Sequence, residues 1–147
     1  MQRAVVHFKC EGLSEEDAHR ALLPGSPRMT VAGLVSHLRW VEHCWFEVLF
    51  SDRGQAENPQ FGAVAEADFE VGDTPLRTLL EEYAQQCAAS DGVVAGSSLD
   101  DLGRNGEYGG EGLTLRWILL HMIEEVARHA GHLDLLREQL DGVRGYY

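Results

Sequence analysis

The stretch TLRWILLHMIEEVARHAGHLDLLREQL, residues 114–140, decides the fold, because its hydrophobic residues recur with the period of an α-helix. Thr114 precedes the first hydrophobic residue and is a typical N-cap, since its side-chain oxygen can accept a hydrogen bond from the first turn. Asp141 and Gly142 follow the last hydrophobic residue and end the pattern. The sequence therefore predicts a long C-terminal helix with one buried face.

Four side chains that can bind a metal project from one face of this helix. They are His121, Glu125, His129 and His132. At about 100° per residue they point to about 0°, 40°, 80° and 20°, an arc of only about 80°. Imidazole and carboxylate groups at i, i+4 spacing suit zinc, nickel, iron or manganese. This face predicts one half of a metal site, and the other half is expected from a different helix.

A second strong helix is predicted by VAGLVSHLRWVEHCWFEVLF, residues 31–50, with Thr30 as its cap. His37 lies in the middle of its apolar stripe, whose other members are Leu34, Val41, Cys44 and Val48. His43 projects about 120° away and is expected to be exposed. A histidine among apolar side chains costs free energy unless its ring nitrogens find partners. His37 is therefore either an imidazole hydrogen-bonded inside the core or a ligand that completes the metal site.

The remaining sequence predicts three more helical regions and two long loops. The helical patterns cover residues 2–10, residues 14–23 after the N-cap Ser14, and a stretch from Thr74-Pro75 to about Ser90. The acidic segment 51–73 and the glycine-rich segment 91–112 have no periodicity, and the first of them is expected to cross the bundle end or cover a site. The pattern favours an all-α four-helix bundle with long loops, and residues 1–147 are expected to form a single domain.

Composition and charge exclude several classes of partner. The 147 residues carry 12 Lys and Arg against 24 Asp and Glu, a formal net charge of −12. Such a chain lacks the basic surface that non-specific nucleic-acid binding or an anionic membrane requires. We therefore expect no nucleic acid and no membrane among its partners.

Cysteine usage and the N-terminus indicate the compartment. The start, MQRAVVHFKCEGL, lacks the apolar core and cleavage site of a signal peptide. Cys10, Cys44 and Cys87 are odd in number and far apart, so they form neither a disulfide framework nor a C-x-x-C motif. These features predict a reducing cytoplasm.

Three of the candidate groups form the set that we expect to hold a metal. Glu125 and His129 can grip one ion from a single helix, and His37 adds a third ligand from another. Three protein ligands leave positions open for water or substrate, as in reactive rather than structural sites. His132, one turn past His129, is an alternative ligand. His121 lies about 12 Å along the helix from His129 and is expected to orient Glu125 instead.

Arg128 falls near the same arc. It either pairs with Glu124 or reaches an anionic substrate, and we assign it to cofactor binding. The competing interpretation of the whole face is a solvated surface helix with incidental histidines.

The quoted helices, together with GLSEEDAHRALLPG at residues 12–25, resemble the DinB-like superfamily. More narrowly, they resemble its actinobacterial branch of unknown function, which is related to mycothiol-dependent maleylpyruvate isomerase. The resemblance covers nearly the whole chain and implies an up-down-down-up four-helix bundle. It also implies a divalent metal held by one ligand from the second long helix and two from the last.

Carried over by motif, the implied ligands fall on His37 within GLVSHL and on Glu125 and His129 within EEVARHAGH. Many members continue the last motif with Arg-Gly-Gln where this chain has Ala-Gly-His, so His132 could displace Glu125 as a ligand. Zinc is the first expectation for the metal and nickel the alternative.

The resemblance further implies the chemistry of a low-molecular-weight thiol such as mycothiol. A metal would hold the thiol as its thiolate, which would add to an electrophile and cause transfer or cis–trans isomerisation. The expected partners are thus a small-molecule thiol and an electrophile, and the open apolar helix faces allow a homodimer. A metal-dependent hydrolase and a non-enzymatic metal-binding or stress-associated bundle remain the alternatives.

Overall fold

The computed structural model describes residues 2–145, and its architecture is helical. The α-helices are α1 (Gln2–Cys10), α2 (Glu15–Ala18), α3 (Val31–His43), α4 (Leu76–Ala95) and α5 (Leu115–Leu140). A π-helix (Cys44–Phe50) continues α3, and short 3₁₀ turns lie at Gln55–Glu57, Pro59–Phe61 and Ala67–Phe69. Within residues 2–145 the only β-type pairing is two isolated bridges, Leu102 with Thr114 and Gly103 with Glu111. The prediction of an all-α fold is confirmed.

The side chains that link α3 to its neighbours give the helix directions. Arg39 pairs with Glu82, and Glu47 further along α3 and its π-helix accepts from Gln86 further along α4. Residue numbers therefore increase in the same direction along both helices, so α3 and α4 run parallel. His37 contacts Glu125, whereas the later Trp45 contacts the earlier His121, so α3 and α5 run antiparallel.

Helix α1 completes the bundle on the other side of α5. Arg3 near its start pairs with Glu42 near the end of α3, and Lys9 near its end pairs with Asp134 near the end of α5. Helix α1 therefore runs antiparallel to α3 and parallel to α5. This confirms the up-down-down-up order, which requires a long connection between the two parallel helices.

Helix boundaries differ from the predictions where tertiary contacts intervene. The helix expected over residues 14–23 keeps its cap Ser14 but ends at Ala18, because His19 turns its ring to the carbonyls of Glu15 and Thr74. Helix α4 begins after Pro75 and its first N–H donates to the Glu15 carboxylate. It also continues one turn beyond the predicted end, to Ala95.

His43 is buried, contrary to its expected exposure on the outer face of α3. The segment after the π-helix folds back over it, and Asn58 donates to the Trp40 carbonyl and lies 3.2 Å from His43 Nδ1. Both residues are almost fully covered, His43 at 6% and Asn58 at 2% exposure. The loop thus covers the face of α3 that the helical pattern assigns to solvent.

The core lies between the four long elements. Its largest fully buried apolar side chains include Val6, Leu34, Leu38, Phe46, Tyr83, Ile118 and Leu133. Within residues 2–145, no helix combines the length and apolarity needed to cross a membrane. The packed faces of α3 and α5 set the spacing of the side chains described next.

Candidate metal centre

Three predicted ligands meet where α3 crosses α5. His37, Glu125 and His129 each turn one ligand atom to a common point, and these atoms all lie within 4.8 Å of one another. Glu125 Oε1 is 3.0 Å from His129 Nε2 and 3.4 Å from His37 Nε2. The antiparallel packing of the two helices therefore joins the halves that the sequence places 88 residues apart.

The ionisable groups of this cluster are buried, and the hydrogen bonds among them shift their pKa values. Glu125 and His129 are 9% and 7% exposed, so neither group has bulk water to solvate it. Hydrogen bonds from His129 and then His37 hold the pKa of Glu125 well below its usual range, against the opposing effect of burial. Burial lowers the pKa of His37, but hydrogen bonds to Asp68 and Glu125 outweigh it and leave the pKa raised. The cluster is an anionic carboxylate held between two imidazoles.

The donor set fits a divalent cation in chemistry and spacing. Zinc bonds of about 2.0 to 2.1 Å place neighbouring tetrahedral or octahedral ligands about 2.9 to 3.4 Å apart. The two contacts to Glu125, at 3.0 and 3.4 Å, fall in that interval. One carboxylate and two imidazoles also suit zinc or nickel. All three ligand atoms lie within 4.8 Å of one another, so these residues could hold one ion, and their role as ligands stays a prediction.

Asp68 is a residue of this site that sequence reasoning missed. Its Oδ2 accepts from His37 Nδ1 at 2.6 Å and from Gln60 Nε2 at 2.8 Å. Burial raises the pKa of Asp68, but the hydrogen bonds from His37 and Gln60 outweigh it and leave the pKa lowered. The only sequence signal is an acid beside Phe69, whose ring stacks on His37 with centroids 4.3 Å apart. The loop predicted to cover a site therefore reaches the cluster of candidate ligands.

The two remaining residues predicted for the site lie at its edge. His132 Nδ1 is 3.2 Å from His129 Nδ1, so it contacts the far side of a candidate ligand and lies outside the group of three. Burial and then the charge of His129 lower the pKa of His132. Arg128 is 65% exposed and its guanidinium lies 3.4 Å from Glu125 Oε2 rather than pairing with Glu124.

Within residues 2–145 no hydrogen bond joins His121 to Glu125, and the ring packs against two tryptophans instead of taking the orienting role expected for it. Its ring stacks on Trp117 with centroids 5.2 Å apart and 4° between the planes, and it lies 4.4 Å from the ring of Trp45. Trp117 is 45% exposed at the surface of this cluster. The end of the α3–α5 contact nearer the start of α5 is thus aromatic rather than ligating.

The protein's own thiols are poorly suited to nucleophilic chemistry. Cys10, Cys44 and Cys87 are free cysteines. Burial raises the pKa of each thiol to about 12, so all three stay protonated near neutral pH. A thiolate in this site would have to come from a bound molecule.

A family model described as Mycothiol-S-transferase (MST) matches residues 1–142, which include every residue of the candidate site. No curated protein and no solved structure matches the chain.

Proposed function

Because the chain belongs to the mycothiol-S-transferase family, a branch of the DinB-like superfamily, we propose that it is a metal-dependent thiol transferase. It takes a low-molecular-weight thiol of the mycothiol type and joins the thiol sulfur to an electrophilic carbon. The observation that carries the proposal is the convergence of His37, Glu125 and His129 in a chain of this family.

The three converging residues are the metal ligands in this proposal. His37 and His129 each offer Nε2, and Glu125 offers Oε1, so the set carries one negative charge. A divalent cation and its three ligands together keep one net positive charge, which favours an anionic ligand at the open positions. When bound, such a metal lowers the pKa of a coordinating thiol and keeps it as thiolate.

Residues around the ligands bind and orient the thiol. Arg128 projects into water beside Glu125 and can contact a polar or anionic group of the thiol. The Nδ1 atom of His129 faces His132, an arrangement that leaves Nε2 on the side of the cluster. Phe69 covers one face of the His37 ring and limits the access of water.

The proposed reaction is a substitution at carbon. The thiol proton passes to solvent, the sulfur forms a bond to the electrophilic carbon, and the leaving group departs with the electron pair of the bond that breaks. No oxidant or reductant is needed. The family match favours this transfer over isomerisation, in which the same sulfur would add to one substrate and leave again.

Metal content tests the site. We expect untagged wild-type protein, purified without added metal and analysed by inductively coupled plasma mass spectrometry, to contain about one ion per chain. His37→Ala should lose this ion, and His121→Ala should retain it because its ring packs against tryptophans. The proposal would be overturned if wild-type protein contained no metal as purified and bound no zinc on reconstitution.

Turnover tests the reaction. Metal-loaded protein should accelerate the loss of electrophile only when a thiol is present, and the product should retain the thiol. Turnover without thiol would instead indicate a metal-dependent hydrolase. Metal binding without turnover across a broad panel of thiols and electrophiles would overturn the transferase proposal and support a non-enzymatic metal-binding bundle.

A further inference from the structure

We propose that Asp68 is a positioning residue for His37, an inference that rests on the proposed metal site. Its carboxylate fixes the tautomer and the orientation of the imidazole, so that the Nε2 lone pair faces Glu125 and His129. The loop at residues 51–73 thereby supplies a part of the centre that neither α3 nor α5 contains.

The contact between Asp68 and His37 defines which ring nitrogen is free. An ionised carboxylate only accepts hydrogen bonds, so the 2.6 Å contact to Nδ1 requires the hydrogen to be on Nδ1. The neutral imidazole that a metal requires therefore loses the hydrogen through which Nε2 donates to Glu125, and Nε2 carries the lone pair. This is the nitrogen on the side of Glu125, where the metal would be held.

Asp68 itself is held at several points and has little freedom to turn away. Its backbone carbonyl accepts from Ser36 Oγ at 2.7 Å, and Gln60 donates to the same carboxylate oxygen that His37 contacts. The residue is only 5% exposed. A carboxylate that is anchored in this way can orient the ring it contacts, as outer partners of metal-binding histidines do.

The stacking of Phe69 on His37 completes this restraint. The rings are 16° from parallel, so the imidazole is held on one face by Phe69 and at one edge by Asp68. The remaining edge of the ring faces the cluster. The loop thus restrains both the tilt and the rotation of the His37 side chain.

A competing explanation is that Asp68 only attaches the loop to the bundle. Asn58 is a second anchor of the same loop, since it donates to the Trp40 carbonyl and contacts His43. Its side chain has no hydrogen bond to His37 or Asp68 among the described residues, and it reaches their network only through the Gln60 backbone N–H, which donates to Asn58 Oδ1. Asn58→Ala therefore loosens the loop without removing the group that orients the imidazole, and it separates attachment from positioning.

The test is the affinity of the protein for Co²⁺ or Zn²⁺ alone, measured by competition with a chromophoric chelator, together with the visible absorption spectrum of the Co²⁺ form. Asp68→Asn keeps the shape of the side chain but can turn its NH₂ towards Nδ1, which favours the tautomer with hydrogen on Nε2. We expect its metal affinity to fall by about 10- to 100-fold and its cobalt bands to shift. Asp73→Asn, at an exposed carboxylate of the same loop, should match wild type in both.

The outcomes are distinct. Unchanged affinity and spectrum in Asp68→Asn, with circular dichroism like that of wild type, would overturn this inference and leave the proposed function standing. An equal loss of affinity in Asn58→Ala would also overturn it, because the effect would then come from loop attachment. Wild-type protein that binds neither metal would overturn the proposed function and this inference together.

Discussion

Two segments of the α3–α5 contact each contain a histidine from the same arc of α5 and differ in the side chains around it. We call them the metal segment, after the ion proposed for it, and the aromatic segment. In the metal segment, His129 lies beside Glu125 and opposite His37. In the aromatic segment, His121 lies beside Trp117 and opposite Trp45. Both histidines project from the same arc of α5, so their neighbours on α5 and the partner on α3 together decide whether a histidine meets ligand atoms or indole rings.

The difference teaches that a helical face alone does not define a site. Helix α3 crosses α5 in the antiparallel sense, which pairs the first half of α3 with the middle of α5 and its end with the start of α5. Trp45 belongs to the π-helix, whose i→i+5 bonding changes the register of the side chains that follow Cys44. On the α3 side, the aromatic segment therefore uses a residue of the π-helix, Trp45, and the metal segment uses a residue of the regular helix, His37.

The largest expected effect is the removal of one donor from the metal segment. His129→Ala leaves two ligands, and its affinity for zinc should fall by more than the roughly 100-fold that loss of an outer partner brings. His121→Ala, the matched histidine of the aromatic segment, should bind zinc like wild type. Competition with a chelator measures both affinities. Equal losses in the two variants would contradict the prediction that only the metal segment binds zinc.

Zinc should also stabilise the protein through the metal segment alone. A ligand that binds only the folded state, at about 100 times its Kd, adds about 2.7 kcal/mol to the free energy of unfolding. Urea denaturation with and without zinc should give this increment in wild type and His121→Ala. His37→Ala should show none of it, and an equal increment there would assign the ion to other groups.

The aromatic segment should contribute to stability without zinc. His121→Ala removes a ring stacked on Trp117 and close to Trp45, and aromatic contacts of this kind contribute about 1 kcal/mol. The midpoint of urea denaturation should fall accordingly in metal-free protein. A midpoint equal to that of wild type would mean that the stacking adds nothing to the fold.

The smallest expected effect concerns Arg128 at the edge of the metal segment. Its exposed guanidinium should assist thiol binding by about 1 kcal/mol, so Arg128→Ala should raise KM for the thiol about fivefold while kcat changes little. Arg116→Ala, at a similarly exposed arginine of α5 that pairs with Asp100, is the control. A KM that stays at the wild-type value would remove Arg128 from the binding surface.

The helices and their buried faces could be predicted from local sequence, because the apolar residues of a helix recur with its period. The caps Thr30 and Thr114, the end of α5 and the inward direction of His37 and Glu125 all follow from residues within a few turns. The division of the histidines between the two segments could be predicted only in part: Trp117 lies four residues before His121, but the α3 residue opposite each histidine does not follow from local sequence. That information exists only in the packing of the two helices.

The loop at residues 51–73 accounts for most of what the sequence did not predict. Asp68 and Asn58 lie in a segment without periodicity, so nothing local indicates that they meet His37 and His43. The burial of His43 follows from that same loop rather than from its position on the helix. Long-range contacts of irregular segments are specified by the whole fold, and a single sequence shows them poorly.

Helix α4 and its long connections separate α3 from α5 along the chain, so an ion held between these two helices would also be a reversible cross-link. His37 and Glu125 are 88 positions apart, so one ion bound to both would close most of the chain into a ring. A disulfide that closes a loop of about 100 residues restricts the unfolded chain by about 4.7 kcal/mol in the chain-entropy model. The ion, which binds only the folded state, closes this ring only there, so chelation opens the ring in the native protein, whereas a disulfide of the same span keeps the unfolded chain closed until it is reduced.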